Sequence, residues 1–264
     1  MTRYVGSKWT KTKAILKHAA LAQYVPDTLR MTKETLLKHL QRYDMVYIKP
    51  EYGLWGNGVM RVERLGTGYR YQLGKGSREF AGYDAMYKSI LVQTGRKRYL
   101  VQKGIRLLKH EGRRFDIRVM AQLSPARSWE TTGIIGRVAA KGKVVTNIHG
   151  GGKLVSASRL LRPYSNDVHS KLHALSKLGV QAGKAMQSAF PGVYEIGLDI
   201  AMDETLHPWI LEVNTSPDPY VFRKIPDASV FRKIMKYAKA YPKERTRAYS
   251  TAHSTARKNA RAKK

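Results

Sequence analysis

The sequence contains no cysteine, which excludes disulfides, thiolate zinc sites and a cysteine nucleophile and agrees with a reducing compartment. Acidic residues are also scarce: 19 Asp and Glu stand against 49 Lys and Arg, a formal charge of +30. Such a surface attracts polyanions, whether nucleic acid, phosphates or acidic peptides. No run approaches the ~18 apolar residues of a membrane span, and the N-terminus has no apolar signal core. A soluble cytoplasmic protein with no membrane partner is therefore expected. At 264 residues with 42% hydrophobic content, the chain can bury a sizeable core in one large domain or two small ones.

Part of the charge excess is local. Residues 243–264 carry eight Lys or Arg and one acid, are rich in Ala, Ser and Thr, and lack apolar periodicity, which predicts a disordered basic tail. Ahead of it, residues 1–44 read as a helical N-terminal segment, with helices over 8–22 and 33–43 and Thr32 as the N-cap of the second. The remainder, 45–242, mixes the two element types. Strands are expected at 45–49, 59–64, 69–73, 98–103, 115–123, 130–139 and 143–148. Helices are expected at 83–93, 168–190 and 228–240, the longest carrying Leu172, Leu175, Leu178, Ala182, Ala185 and Ala189 at helical spacing. Two last strands, 194–202 and 208–214, precede the final helix. Regular βαβ alternation is absent, so the class is α+β.

Those two strands carry the strongest chemical signal. Paired so that residue 199 faces residue 212, they set Leu198, Ile200 and Met202 against Val213, Leu211 and Trp209 on one apolar face. On the other face Asp199 meets Glu212 and Gly197 meets Asn214. Directly opposed residues have Cβ atoms ~4.5–5.5 Å apart, and like charges there repel, so the pair calls for a cation or a proton. Two carboxylates and an amide oxygen are hard ligands of the kind that hold Mg²⁺. The same pattern also suits an amphipathic hairpin with solvated outer residues.

A second signal is Lys49, which ends the strand MVYIK and is followed by Gly53, Gly56 and Gly58 in EYGLWGNG. Glycines let backbone N–H groups approach phosphate oxygens, and a nearby lysine adds a point charge. No Gly-Lys-Ser/Thr closes this loop, and it leads into a strand, so it is neither a Walker A loop nor a dinucleotide fingerprint. A mobile β-turn has the same composition.

Taken in order, the strand lysine, glycine-rich hairpin, VQKGI, FDIRV, GRV, a glycine turn and GLDIAMDETLHPWILEVNTSPDP resemble the ATP-grasp superfamily over about residues 45–240, specifically its spore-coat-associated YheC/YheD branch. The resemblance implies two α+β lobes clamping ATP. It assigns Lys49 to the α- and β-phosphates, with Gly53, Gly56, Asn57 and Gly58 closing over them. Lys103 matches the family's second lysine, Gln102 and Ile105 lie at the adenine hinge, and Asn147 is a further phosphate contact. Arg118 and Arg137 resemble the arginines that face the γ-phosphate and the acyl phosphate. Asp199, Glu212 and Asn214 match the metal triad for one or two Mg²⁺, Glu212 bridging, with Mn²⁺ as a substitute. Family ligases carry a substrate domain of about a hundred residues before the lysine strand. Only 48 residues precede Lys49 here, so the carboxylate and amine substrates stay open.

The implied activity is a carboxylate–amine ligase working through an acyl phosphate, on a peptide, an acidic polyanion or a spore-coat component. Two alternatives share the motifs: a coat structural protein that keeps ATP binding, and an ATP-grasp kinase. Nucleic-acid binding through the basic surface is a third and less favoured reading. Other motifs carry less. His149-Gly-Gly-Gly lacks the Gly-x-Ser-x-Gly elbow of a hydrolase, and His169 with His173 lacks a third zinc ligand.

Overall fold

The architecture was obtained as a computed structural model that describes residues 4–95, 97–146 and 148–241, the side chain of residue 149 excepted. The expected basic tail and Asn147 lie outside the described residues. In chain order the elements are α1 (Lys8–Leu16), α2 (Ala19–Ala22), β1 (Thr28–Arg30), α3 (Lys33–Tyr43), β2 (Met45–Pro50), β3 (Met60–Leu65), β4 (Gly68–Leu73), β5 (Gly76–Phe80), α4 (Tyr83–Thr94) and β6 (Tyr99–Lys103). There follow β7 (Lys109–His110), β8 (Arg113–Leu123), β9 (Trp129–Val138), β10 (Lys153–Val155), α5 (Ala157–Leu161), α6 (Val168–Ala189), β11 (Glu195–Met202), β12 (Pro208–Asn214) and α7 (Ala228–Lys239). Short 3-10 turns occupy Ile148–Gly150 and Pro219–Lys224.

Two antiparallel sheets result. The first runs β1-β6-β2-β3-β4-β5 and the second β10-β9-β8-β11-β12, with β7 beside β8. The first sheet packs on α3 and α4 around Leu36, Leu40, Ile48, Met60, Met86 and Ile90, all fully buried. Thr32 caps α3 as expected: its Oγ1 accepts from Thr35 N at 3.2 Å while Thr35 Oγ1 accepts from Thr32 N at 2.7 Å.

The second sheet is two-faced, and strand alternation explains why. On β8, Phe115, Ile117, Val119 and Ala121 enter the larger core against α6, together with Ile196, Leu198, Ile200 and Met202 of β11. The intervening Asp116, Arg118, Met120 and Gln122 face the other way, where Met120 meets Phe222 and Ile234. Gly179 and Gly183, one helical turn apart on α6, let that helix lie close to the sheet. A Cβ on Gly183 would come within 2.2 Å of the Trp129 ring, and one on Gly179 within 2.6 Å of Thr131 Oγ1.

Three differences from the sequence pattern have physical causes. Among the described residues of 143–148 no strand forms: 143–146 are irregular chain, a 3-10 turn occupies Ile148–Gly150, and β10, at Lys153–Val155, pairs with β9 instead. The N-terminal segment is not purely helical, since β1 adds to the edge of the first sheet through Leu29↔Val101, three residues being too few to show a period. Finally, β11 and β12 hold the expected Asp199↔Glu212 and Gly197↔Asn214 pairs, but a bulge follows and Ile200 faces Ile210. The core face therefore takes Ile210 and Val213, whereas Leu211 turns to the opposite side and Trp209 is only half-buried.

Candidate active site

A cleft of about 350 Å³ opens between the sheets, under the glycine-rich loop, and receives side chains from both. From the first sheet come Lys49 on β2 and Gln102 on β6. From the second come Asp116 and Arg118 on β8, Arg137 on β9, Asp199 on β11 and Glu212 with Asn214 on β12.

Lys49 Nζ donates to Gln102 Oε1 at 3.0 Å and to the Leu211 carbonyl at 2.7 Å. Burial pushes its ammonium down from the ordinary 10.5 to about 8, against the opposing pull of Glu212. Gln102 is held in turn, its Nε2 donating to Thr28 Oγ1 at 2.9 Å. Thr28, on the strand β1 that the sequence pattern did not supply, thus orients the glutamine beside Lys49.

The arginines form one network. Arg137 sits opposite Asp116 in the β8–β9 ladder and donates to both of its oxygens, at 2.8 and 2.5 Å. Thr146 Oγ1 donates to the same carboxylate at 2.6 Å. Arg137 also reaches Asp199 Oδ1 at 3.1 Å, and Arg118 Nε donates to that oxygen at 2.6 Å. Burial alone would raise the Asp199 carboxyl, but the two guanidinium groups hold it down at about 2. Burial likewise works against the Arg137 charge, and Asp116 and Asp199 more than offset it, raising its pKa. Gly197 makes room for this arrangement. A Cβ there would lie 2.8 Å from Pro217 Cβ and 3.2 Å from the Arg118 guanidinium.

The glycine-rich loop has φ values of 142° at Gly53, 70° at Gly56 and 76° at Gly58, and Trp55 at its tip also takes a positive φ of 60°. Left-handed backbone at an aromatic residue is strained. Gly53, Gly56 and Asn57 line the cleft. Gly58 does not; it packs on Tyr99, whose hydroxyl would be 2.6 Å from a Cβ there.

Two groups escaped sequence reasoning. Helix α1 places Lys8 and Lys11, 7% and 5% exposed, beside the same carboxylate: their ammoniums approach Glu212 Oε1 to 3.5 and 3.9 Å. Lys8 also donates to the Gly53 carbonyl at 2.8 Å. Burial lowers the pKa of Lys11, with Lys8 adding to the effect and Glu212 opposing it. The helix is anchored from both sides. Its N-cap Ser7 donates to Glu51 Oε1 at 2.6 Å, and Val5 N donates to Thr215 Oγ1 at 3.0 Å. No local pattern in KWTKTKAIL marks these lysines, because their partner lies some 200 positions along the chain. Leu211 was assigned to the core face for want of the bulge, yet it lines the cleft.

Lys103 also differs from expectation. As the strand neighbour of Gln102 its side chain points to the opposite face, where the ammonium sits 4.7 Å from the Trp209 ring centre and 5.5 Å from that of Tyr43. It does not line the cleft, whereas Ile105 does.

Among the described residues no cluster of three or more His, Cys, Asp or Glu is gathered, and His169 and His173 are exposed on α6. A metal position therefore rests on two carboxylates and an amide. Asn214 Nδ2 donates to the Gly197 carbonyl at 3.5 Å, and Asp199, Glu212 and Asn214 all line the cleft. This all-oxygen donor set fits a hard divalent ion such as Mg²⁺.

A family model described as YheC/D like ATP-grasp matches residues 1–243. The chain belongs to the YheC/D-like ATP-grasp family. It is similar to two proteins of Bacillus subtilis (strain 168). One is the endospore coat-associated protein YheD, 23% identical over 226 residues that cover 82% of this chain and 49% of YheD. The other is the endospore coat-associated protein YheC, 23% identical over 230 residues covering 82% of this chain and 62% of YheC. The chain thus spans between about half and two thirds of the length of these relatives. Among solved structures, D-cycloserine synthetase DcsG superposes with a TM-score of 0.56 at 12% identity, over 90% of this chain and 69% of that one. The fold is accordingly ATP-grasp, of α+β class, and among the described residues no helix is long and apolar enough to cross a membrane.

Proposed function

We propose that this protein is a Mg-ATP-dependent ligase that activates a carboxylate as an acyl phosphate for attack by an amine. The observation that carries the reading is the convergence, on one cleft under a glycine-rich loop, of Lys49 with Arg118, Arg137 and the Asp199–Glu212–Asn214 triad.

In this reading Ile105 and Leu211 receive the adenine, and Gly53, Gly56 and Asn57 cover the phosphates, with Lys49 and Lys8 as their cations. Asp199, Glu212 and Asn214 would hold Mg²⁺, which when bound offsets phosphate charge. A substrate carboxylate oxygen attacks the γ-phosphorus and the bond to the β–γ bridging oxygen breaks, releasing ADP. The amine nitrogen then attacks the acyl carbon, and phosphate leaves with the electron pair of the C–O bond. Arg118 and Arg137 stabilise the transferring phosphoryl group and the departing phosphate. Asp116 keeps the Arg137 fork oriented through its two hydrogen bonds.

The test is ADP release against a panel of free amino acids and acidic peptides, with hydroxylamine as the trapping amine. A ligase yields a hydroxamate together with ADP and phosphate. A kinase yields ADP and a stable phosphorylated acceptor, and a purely structural coat protein binds ATP without turnover. Glu212→Ala abolishes turnover if the metal assignment holds, and full retention refutes it. The names of the two Bacillus relatives support a spore-coat-associated acceptor.

A further inference from the structure

Within that ligase reading, one feature of the cleft departs from a site built for two metal ions: a pair of lysines already occupies one side of the bridging carboxylate. Glu212 is approached at Oε1 by Lys8 at 3.5 Å and by Lys11 at 3.9 Å. Both lysines are more than nine-tenths buried. Burying an ammonium is costly unless it is paired, so neither is an incidental surface lysine. Asp199 is likewise met by protein cations, Arg118 and Arg137 both approaching its Oδ1.

We propose that Lys8 and Lys11 take the place of a second divalent ion, so that the nucleotide-loaded site holds a single metal. A bridging Glu212 would have to bring a second ion to about 2 Å from Oε1, among two ammoniums already gathered there. Repulsion in this poorly screened setting opposes that ion strongly. The lysines are also better sited than an ion to sense the loop, because Lys8 holds the Gly53 carbonyl at 2.8 Å while its ammonium faces Glu212.

The inference rests on the ATP-binding reading and can fail separately from it. The experiment is a Mn²⁺ titration of the full chain loaded with the β,γ-imido analogue of ATP, followed by electron paramagnetic resonance, with analogue affinity measured alongside by calorimetry. The wild type is expected to bind one Mn²⁺ per loaded chain, with an uncoupled six-line signal. The Lys8→Met/Lys11→Met variant, and a milder Lys8→Gln/Lys11→Gln variant in case the first folds poorly, are expected to take up a second ion and show a spin-coupled pair. Two coupled ions in the wild type overturn the inference and leave the ATP reading intact. One ion in folded double variants also overturns it. Absence of analogue binding in the wild type refutes both.

Discussion

Replacing Lys49 with methionine should separate what this residue does for the nucleotide from what it costs the fold. Its pKa falls from 10.5 to about 8 on burial. At ~1.4 kcal/mol per factor of ten, the charged form carries a penalty of about 3 kcal/mol in the folded protein. Methionine removes the penalty but strips a donor from Gln102 Oε1 and the Leu211 carbonyl, worth about 1–3 kcal/mol. The two nearly cancel, so at pH 7 the variant is expected to be as stable as the wild type or up to about 2 kcal/mol more so, a melting temperature rise of a few degrees. The pH dependence has a definite sign. Between pH 8 and 10.5 the folded wild type has shed the Lys49 proton that the unfolded chain still binds, and stability rises with pH in that window. Wild type should therefore gain about 3 kcal/mol relative to Lys49→Met from pH 7 to pH 10.5. Nucleotide binding moves oppositely. If Lys49 serves the phosphates as proposed, losing its ammonium should weaken Mg-ATP by about 2–3 kcal/mol, or ~30- to 150-fold. Chemical denaturation across pH and calorimetry of nucleotide binding measure the two sides. A variant more than about 2 kcal/mol less stable at pH 7, or one that binds Mg-ATP normally, would refute the reasoning.

Arg137→Ala strands the buried Asp116 carboxylate and should cost about 3–5 kcal/mol in denaturant unfolding; a loss below about 1 kcal/mol would show that the network does not support the fold. Gly197→Ala should displace Arg118 or Pro217, destabilise by about 1–3 kcal/mol and weaken nucleotide binding, readable in the same titrations. Lys103→Met is expected to leave Mg-ATP affinity within about twofold, because its ammonium lies over Trp209 and Tyr43; a loss above tenfold would put the lysine back in the cleft.

The legible parts of this fold are those where a local period meets a local chemistry. Asp199, Glu212, Gly197 and Asn214 could be registered because β11 and β12 are joined by a short turn and alternate cleanly up to the bulge. Lys49 could be found because glycines follow it at once. Arg118 and Arg137 needed the ordered motif set, since nothing in FDIRV or GRV alone says which sheet face they take. What stayed hidden is nonlocal. Lys8 and Lys11 meet Glu212 only through tertiary packing of α1, and Thr28 orients Gln102 from a strand too short to announce itself. Lys103 was misplaced by motif order, which names a residue type near a hinge, whereas the pleat decides which of two neighbours faces in. The absent strand at 143–148 reflects the same limit, for Val144, Val145 and Thr146 have strand-like side chains but turn toward the cleft instead of joining the ladder.

The bulge after Asp199 has a consequence for how such a site can vary. In a regular ladder Leu211 and Glu212 would point to opposite faces, and a strand could serve either the base or the phosphates from that stretch. Here the extra residue lets consecutive positions face one cleft while Ile210 and Val213 keep the core. Position 211 is thereby uncoupled from both core packing and metal geometry. If Leu211 receives the adenine, as proposed above, substitutions there are expected to shift which base is accepted while Ile210 and Val213 keep the core packed.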